Sequence, residues 1–287
     1  IYNFLAAVLV ISLFTEYKDK LFKVIYKALF FSILIQMFTF FLGGGYTGGR
    51  MTGSFNNPNQ LGYYALLVIS IFMFLSNRIN MKVKWFILGI FASLLLVFTS
   101  LSKSAIISSI GIIISFLIFK NKNKMFKRRL ILSIFVIILV LIYVYQTTNL
   151  IQDNHLLQSV QNRISAIGQD NDDSLDGRGY YRIIDYPEYW IFGAGEGEYS
   201  RFRASTIEFH STLGNIQVSY GIIGSVLFLR LLYLALKNDN FKSWYIIVFL
   251  LIYGIAHNGI RNSLFWILLS MILMEFSSRT EKVSKKF

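Results

Sequence analysis

The segment 177–224 holds the side chains best suited to chemistry: it begins GRGYYRIIDYPEYWIFGAGEGEYSRF and carries His210 to the mouth of an apolar helix. An imidazole exchanges protons near neutral pH, so His210, followed by Ser211 at a helix end, is a candidate general base. A structural histidine is the alternative. Arg178 and Arg182 carry planar guanidinium forks, which bind phosphate or carboxylate through paired hydrogen bonds where lysine offers only a point charge. His257 opens the short run HNGIRN, which also contains Arg261. This pair either contacts a substrate or forms a polar, helix-ending turn. Arg50 precedes FNNPNQLG, where side-chain amides around Pro58 can cap the helix from Leu61 onward. It either serves that turn or lines a substrate site.

These residues need a scaffold, and composition indicates which kind. Of 287 residues, 55% are hydrophobic and 17% aromatic, and the mean hydropathy is +0.54. That is more apolar surface than one soluble core can hide, so lipid must be the solvent. Apolar runs recur at 1–14, 28–42, 61–76, 85–101, 104–119, 130–145, 216–236, 243–256 and 264–277. They predict an all-α fold, a polytopic membrane helical bundle of about nine passes within one integral-membrane domain, 1–287. Several runs fall short of the ~20 residues of a clean span, and uncharged flanks such as 43–45 must extend them. Gly221, Gly224 and Ser225 would let the helix over 216–236 pack closely. No internal repeat and no Pro/Gly/Ser linker divides the chain.

The net charge of +13 would suit nucleic acid in a soluble protein, but its distribution points elsewhere. Basic residues cluster at 18–27, 78–84, 120–129, 230–242 and 279–286, which are every second junction between apolar runs. By the positive-inside rule these junctions, and the carboxyl terminus with them, are cytoplasmic. The remaining cations are Arg50, Lys103, Arg163, Arg178, Arg182, Arg201, Arg203 and Arg261, all on the opposite side and all but one arginine. An outer face so furnished suits an anion, the alternative being ion pairs with the acids between Asp153 and Glu208.

Alternation of sides then places 43–60, a tight turn near 101–104, a long loop at 146–215 and a short turn at 257–263 outside. The long loop bears the proposed active site. Its stretch 149–167 has apolar residues at helical spacing and predicts an amphipathic helix along the membrane surface, with His155 on its surface. Cysteine is absent, so packing rather than disulfides must hold this loop. The chain begins at Ile1 without a basic n-region or a cleavage site, and it is expected to be a fragment lacking earlier helices. Asp172, Ser174, Asp176 and Gly177 imitate the start of a calcium loop, but Ile183 stands where the bidentate acid is required. The run GAGEG at 193–197 lacks the strand and helix of a dinucleotide site, and its glycines suit a tight turn or close approach of a substrate to backbone. Neither a metal nor a cofactor is expected.

Four motifs in order resemble the O-antigen ligase and Wzy-type polysaccharide polymerase family. They are FNNPNQLG (55–62), TSLSKS (99–104), GR followed by P and FGAGEGEY (177–199), and HSTLGN followed by GIIG (210–224). The resemblance covers most of residues 50–225. It implies GT-C-like, metal-independent membrane glycosyltransferases that move glycans from undecaprenyl-pyrophosphate to an acceptor hydroxyl on the outer leaflet. Within it His210 matches the loop histidine and Arg178 the arginine of the G-R motif, while Lys103 replaces a common arginine.

The implied chemistry agrees with the residues. Outside the cell a donor must bring its own leaving group, and the developing pyrophosphate charge would fall to Arg178, Arg182, Arg50 and Lys103. Tyr180, Tyr181, Tyr186, Tyr189 and Trp190 offer faces for sugar rings or anchors at the interface. The resulting expectation is a bacterial cytoplasmic-membrane polymerase of lipid-linked repeat units, with a glycan acceptor, membrane lipids and, as further partners, a chain-length regulator and a flippase. A ligase that uses a lipid A-core or protein acceptor is the second reading, and a transporter of the same lipid the third. The transporter reading predicts Gly/Pro-broken helices, charges near the bilayer midplane and internal pseudo-symmetry, whereas the charges here gather at helix ends and no repeat appears.

Overall fold

The computed structural model describes residues 2–17, 19–47, 49–76, 78–120, 132, 178–197, 202 and 209–274. The predicted span 130–145, the surface helix 149–167, His155, the aspartate turn at 172–177 and Arg163, Arg201 and Arg203 lie outside the described residues, position 132 excepted. The described residues of the other eight apolar runs are largely helical. The helices are α1 (Tyr2–Tyr17), α2 (Asp19–Phe41), α3 (Pro58–Leu75), α4 (Val83–Thr99) and α5 (Lys103–Ser115). A short α6 (Tyr181–Asp185) precedes α7 (Thr212–Asn238), α8 (Trp244–Ala256) and α9 (Ser263–Leu273). Among the described residues α2, α3 and α7 are long and apolar enough to cross a membrane. The helices group into two compact units, Tyr17–Ile167 and Ile1–Glu16 with Gly168–Phe287.

In the unit Tyr17–Ile167, α3 is the hub and packs against α2, α4 and α5. It is apolar on every side, as a helix enclosed by others must be. Its start is set locally: the Asn57 side chain accepts from the Gln60 amide at 3.0 Å, and Pro58 occupies the first helical position, where no amide hydrogen is needed. The expected cap is therefore present, one turn earlier than Leu61. Small residues allow the close approaches. A β-carbon on Gly62 would lie 2.6 Å from Ser100 Oγ, and one on Gly89 would lie 2.4 Å from the Phe72 ring.

Among the described residues one element departs from the all-helical expectation. Tyr46–Thr47 and Arg50–Met51 form a two-stranded antiparallel hairpin, β1–β2, with Tyr46 opposite Met51. Glycines on either side disfavour helix, and Gly49 takes the positive φ of 72° that the turn demands. The expected tight turn at 101–104 is present, with Leu101 at φ 50° between α4 and α5.

In the other unit, α7 packs against α8 and α9, and α6 against α7. Asn262 caps α9 by accepting from the Leu264 amide at 2.9 Å. The Asn3 amide on α1 donates to the Ile260 carbonyl at 3.1 Å, which ties the first helix to the turn before α9.

Candidate active site

His210 lies immediately before Ser211, the N-cap of α7, whose side chain accepts from the Gly214 amide at 3.2 Å. The backbone amide of His210 donates to the Arg178 carbonyl at 3.3 Å, so the arginine segment and the histidine segment run side by side. His210 itself is half-buried.

The end of α8 completes the arrangement. A helix leaves its last carbonyls without intrahelical donors and carries partial negative charge there. Arg178 Nη1 donates to the Ala256 carbonyl. The Tyr180 hydroxyl lies 2.8 Å from the Ile255 carbonyl and 2.7 Å from Ser211 Oγ, and Ser211 Oγ lies 3.2 Å from the Gly254 carbonyl. The Thr212 hydroxyl donates to the His257 carbonyl at 3.1 Å and accepts from the Gly259 amide at 2.9 Å. The carbonyls of the α8 terminus are thereby held by residues 178, 180, 211 and 212, with the two hydroxyl protons of Tyr180 and Ser211 shared among the Ile255 carbonyl, the Gly254 carbonyl and the contact between the two hydroxyls. These residues clamp the two chain segments that flank His210.

An aromatic cluster supports this clamp in place of disulfides. Phe202, Phe209 and Val218 are buried and packed by Tyr180, Ile183, Tyr186, Tyr189 and Ala194. Tyr180 meets Phe209 edge-on at 5.5 Å, and Tyr186 meets Phe202 at 5.1 Å. Such pairs gain ~0.5–1.5 kcal/mol each beyond their buried area. Packing thus secures the described part of the loop, as the lack of cysteine required. Tyr180, Tyr186 and Tyr189 are half-buried and pack against protein rings here.

Helix α7 is broken. Gly221 has φ 65° and ψ −166°, a conformation reserved for glycine. The segment 190–195 closes onto the break. Ala194 and Gly195 amides donate to the Val218 and Ser219 carbonyls at 2.7 and 2.9 Å, and the Ile222 amide donates to the Trp190 carbonyl at 2.7 Å. Gln217 Nε2 reaches the same Trp190 carbonyl at 3.1 Å. The GAGEG run is therefore a packing device. A β-carbon on Gly193 would lie 2.3 Å from the Ser219 carbonyl oxygen, so what approaches this glycine is the backbone of α7, where the sequence suggested a turn or a substrate. Gly221, expected to ease helix packing, instead interrupts the helix because loop backbone occupies the space beside it.

The remaining candidates divide by location. Arg182 is only 2% exposed, its guanidinium carbon 5.1 Å from the Phe202 ring centre and 5.9 Å from that of Phe209. Its sequence context on an outer loop suggested a fork open to an anion, whereas the ring cluster encloses it. Arg50 Nε donates to the Ser100 carbonyl at 3.0 Å and Nη2 to Asn59 Oδ1 at 2.7 Å, so it joins the end of α4 to the start of α3. Lys103 starts α5 and is half-buried in the same unit as Arg50. His257 caps α8, its ring 5.0 Å from that of Tyr253. Arg261 is exposed on the following turn, and its carbonyl accepts from Asn3 at 3.2 Å. The residues brought together are thus Arg178, His210 and the α8 terminus that carries His257.

Three residues were missed. Tyr180 was read as a ring face, and its hydroxyl role needs the α8 terminus, which lies about 75 residues away in the chain. Asn215 is 1% exposed and its Nδ2 has no hydrogen-bond partner among the described residues; neither amide atom of Asn258 has one. Buried amides without partners mark places where water or a ligand would complete the bonding. The spacing H-S-x-x-x-N and the run HNGIRN contained both asparagines as signals.

A comparison with curated proteins returns no match. The family model described as O-antigen ligase matches residues 88–229, a span that includes α5, the arginine segment, His210 and most of α7. With the apolar helices, this match points to an integral membrane protein that handles lipid-linked glycans. Over residues 88–229 the chain thus matches the O-antigen ligase family.

Proposed function

We propose that this protein is a glycosyltransferase of the bacterial cytoplasmic membrane that polymerises undecaprenyl-pyrophosphate-linked oligosaccharide repeat units on the outer face. In this reading the chain crosses the membrane about nine times in a GT-C-like arrangement, with its carboxyl terminus cytoplasmic. The observation that carries the site assignment is the clamp around His210. A half-buried imidazole is flanked by backbone fixed at both ends, with the Arg178 guanidinium on the adjacent strand of chain.

His210 takes the proton of the acceptor hydroxyl as its oxygen attacks the anomeric carbon. The bond from that carbon to the pyrophosphate oxygen breaks, and configuration inverts. Arg178 faces the negative charge that develops on the departing pyrophosphate. The bond from its guanidinium to the Ala256 carbonyl orients the group. General-base catalysis is typically worth ~10² to 10⁴ in rate. Arg182 supports the loop from within and touches no substrate.

The test supplies purified lipid-linked repeat units to membranes containing wild type, His210→Ala or Arg178→Ala. Both variants are expected to lose long polymer by at least ~10²-fold while the protein remains folded. Wild-type polymer from folded variants would refute the assignment. The same assay, run with a repeat-unit acceptor against a lipid A-core acceptor, separates polymerase from ligase.

A further inference from the structure

We propose that residues 190–192, together with Ile184, form an apolar wedge that inserts into the acyl chains of the outer leaflet beside the break in α7. This rests on the reading of α7 as a membrane-spanning helix and not on the catalytic assignment.

Depth is the first reason. Gly221 lies nine residues after Thr212, about 13 Å along the helix at 1.5 Å per residue. The hydrocarbon core is ~30 Å thick, so in a spanning α7 the break sits inside lipid. The segment 190–195 is hydrogen-bonded to that break, through Val218, Ser219 and Ile222, and must share its depth.

Backbone satisfaction is the second. Irregular backbone survives at membrane depth only where its polar groups are bonded within the protein. The Trp190 amide donates to Pro187, the Gly193 amide to Tyr189, and those of Ala194 and Gly195 to α7, while the Trp190 carbonyl receives two donors. The Trp190 indole N–H donates to the Ile183 carbonyl. Outward the segment and Ile184 present large apolar side chains: Phe192 is 78% exposed, Ile184 75%, Ile191 56% and Trp190 51%.

Continuity is the third. Ile222, Ile223, Val226 and Leu227 form the exposed apolar surface of α7 just beyond the break. The wedge adjoins it through the bond from Ile222 to Trp190, so one apolar surface runs from helix to loop. Glu196 bounds it, its carboxylate accepting from the Tyr220 hydroxyl at 2.8 Å.

The chain has no cysteine, so single-cysteine variants carry one spin label each. Phe192→Cys, Ile184→Cys, Val226→Cys and Glu188→Cys are made in the full chain and reconstituted into phosphatidylcholine vesicles. Power saturation compares collisions with oxygen, which concentrates in lipid, and with a water-soluble nickel chelate. The Phe192 and Ile184 labels are expected to match Val226, with an oxygen-to-nickel ratio several-fold above that of Glu188. If both wedge labels match Glu188 while Val226 reports lipid, the wedge is overturned and the spanning helix stands. If Val226 also reports water, the membrane reading of α7 fails and the wedge with it.

Discussion

Substituting Gly221 with alanine tests whether the loop holds α7 in its broken form. Alanine disfavours φ 65°, ψ −166° by about 1–3 kcal/mol. Its β-carbon would also stand 2.1 Å from the Ile191 carbonyl oxygen and 2.7 Å from the Gly193 nitrogen, backbone atoms that cannot rotate away. The segment must withdraw, losing the bonds from Ala194, Gly195 and Ile222. At about 1 kcal/mol per bond, the total cost is about 4–6 kcal/mol, a large share of the ~5–15 kcal/mol of a typical fold. Gly197→Ala is the control: its φ is 83° with no atom within 4 Å of the added carbon, so only the conformational cost of about 1 kcal/mol applies. Unfolding by SDS titration in mixed micelles, followed by tryptophan fluorescence, measures both. Gly221→Ala should unfold at much lower SDS than Gly197→Ala. Coincident midpoints would show that α7 is not wedged open by residues 190–195.

Two further substitutions address the site. Tyr180→Phe keeps the ring cluster but removes the hydroxyl bonded to Ile255 and Ser211; it should cost about 1–2 kcal/mol and slow polymer formation with little change in donor affinity, as read from initial rates over a range of donor concentrations. Arg50→Met keeps the apolar stem and loses both charged hydrogen bonds, to Ser100 and Asn59. A cost of about 2–4 kcal/mol is expected, with donor affinity unchanged in the folded fraction; a folded variant with weakened donor binding would return Arg50 to the substrate site.

Much of the framework was legible because it depends on local sequence. Apolar runs become helices wherever lipid or other helices surround them, and Asn57–Pro58 starts α3 through its own side chain and ring. His210 was legible as the imidazole beside a capping serine. Residues whose roles depend on distant partners were not. Arg182 looked like an outward fork because charge normally seeks water, yet Phe202 and Phe209 enclose it. Arg50 allowed two readings, and the Ser100 carbonyl that accepts from it lies fifty residues on, beyond the reach of local sequence.

Gly221 shows the division most clearly. A glycine in an apolar helix can ease packing or end the helix, and its neighbours in sequence are compatible with both. Which occurs depends on whether another backbone arrives to satisfy the groups that a break would expose. Here residues 190–195 arrive, some thirty positions earlier in the chain. By itself the sequence indicated the apolar helices and the resemblance to a family, and it singled out the histidine as a candidate, because periodicity, charge and motif are local properties. Tertiary structure alone decided which arginine stands beside that histidine, what Tyr180 holds and where α7 breaks, because each is settled by hydrogen bonds between segments that only folding brings together.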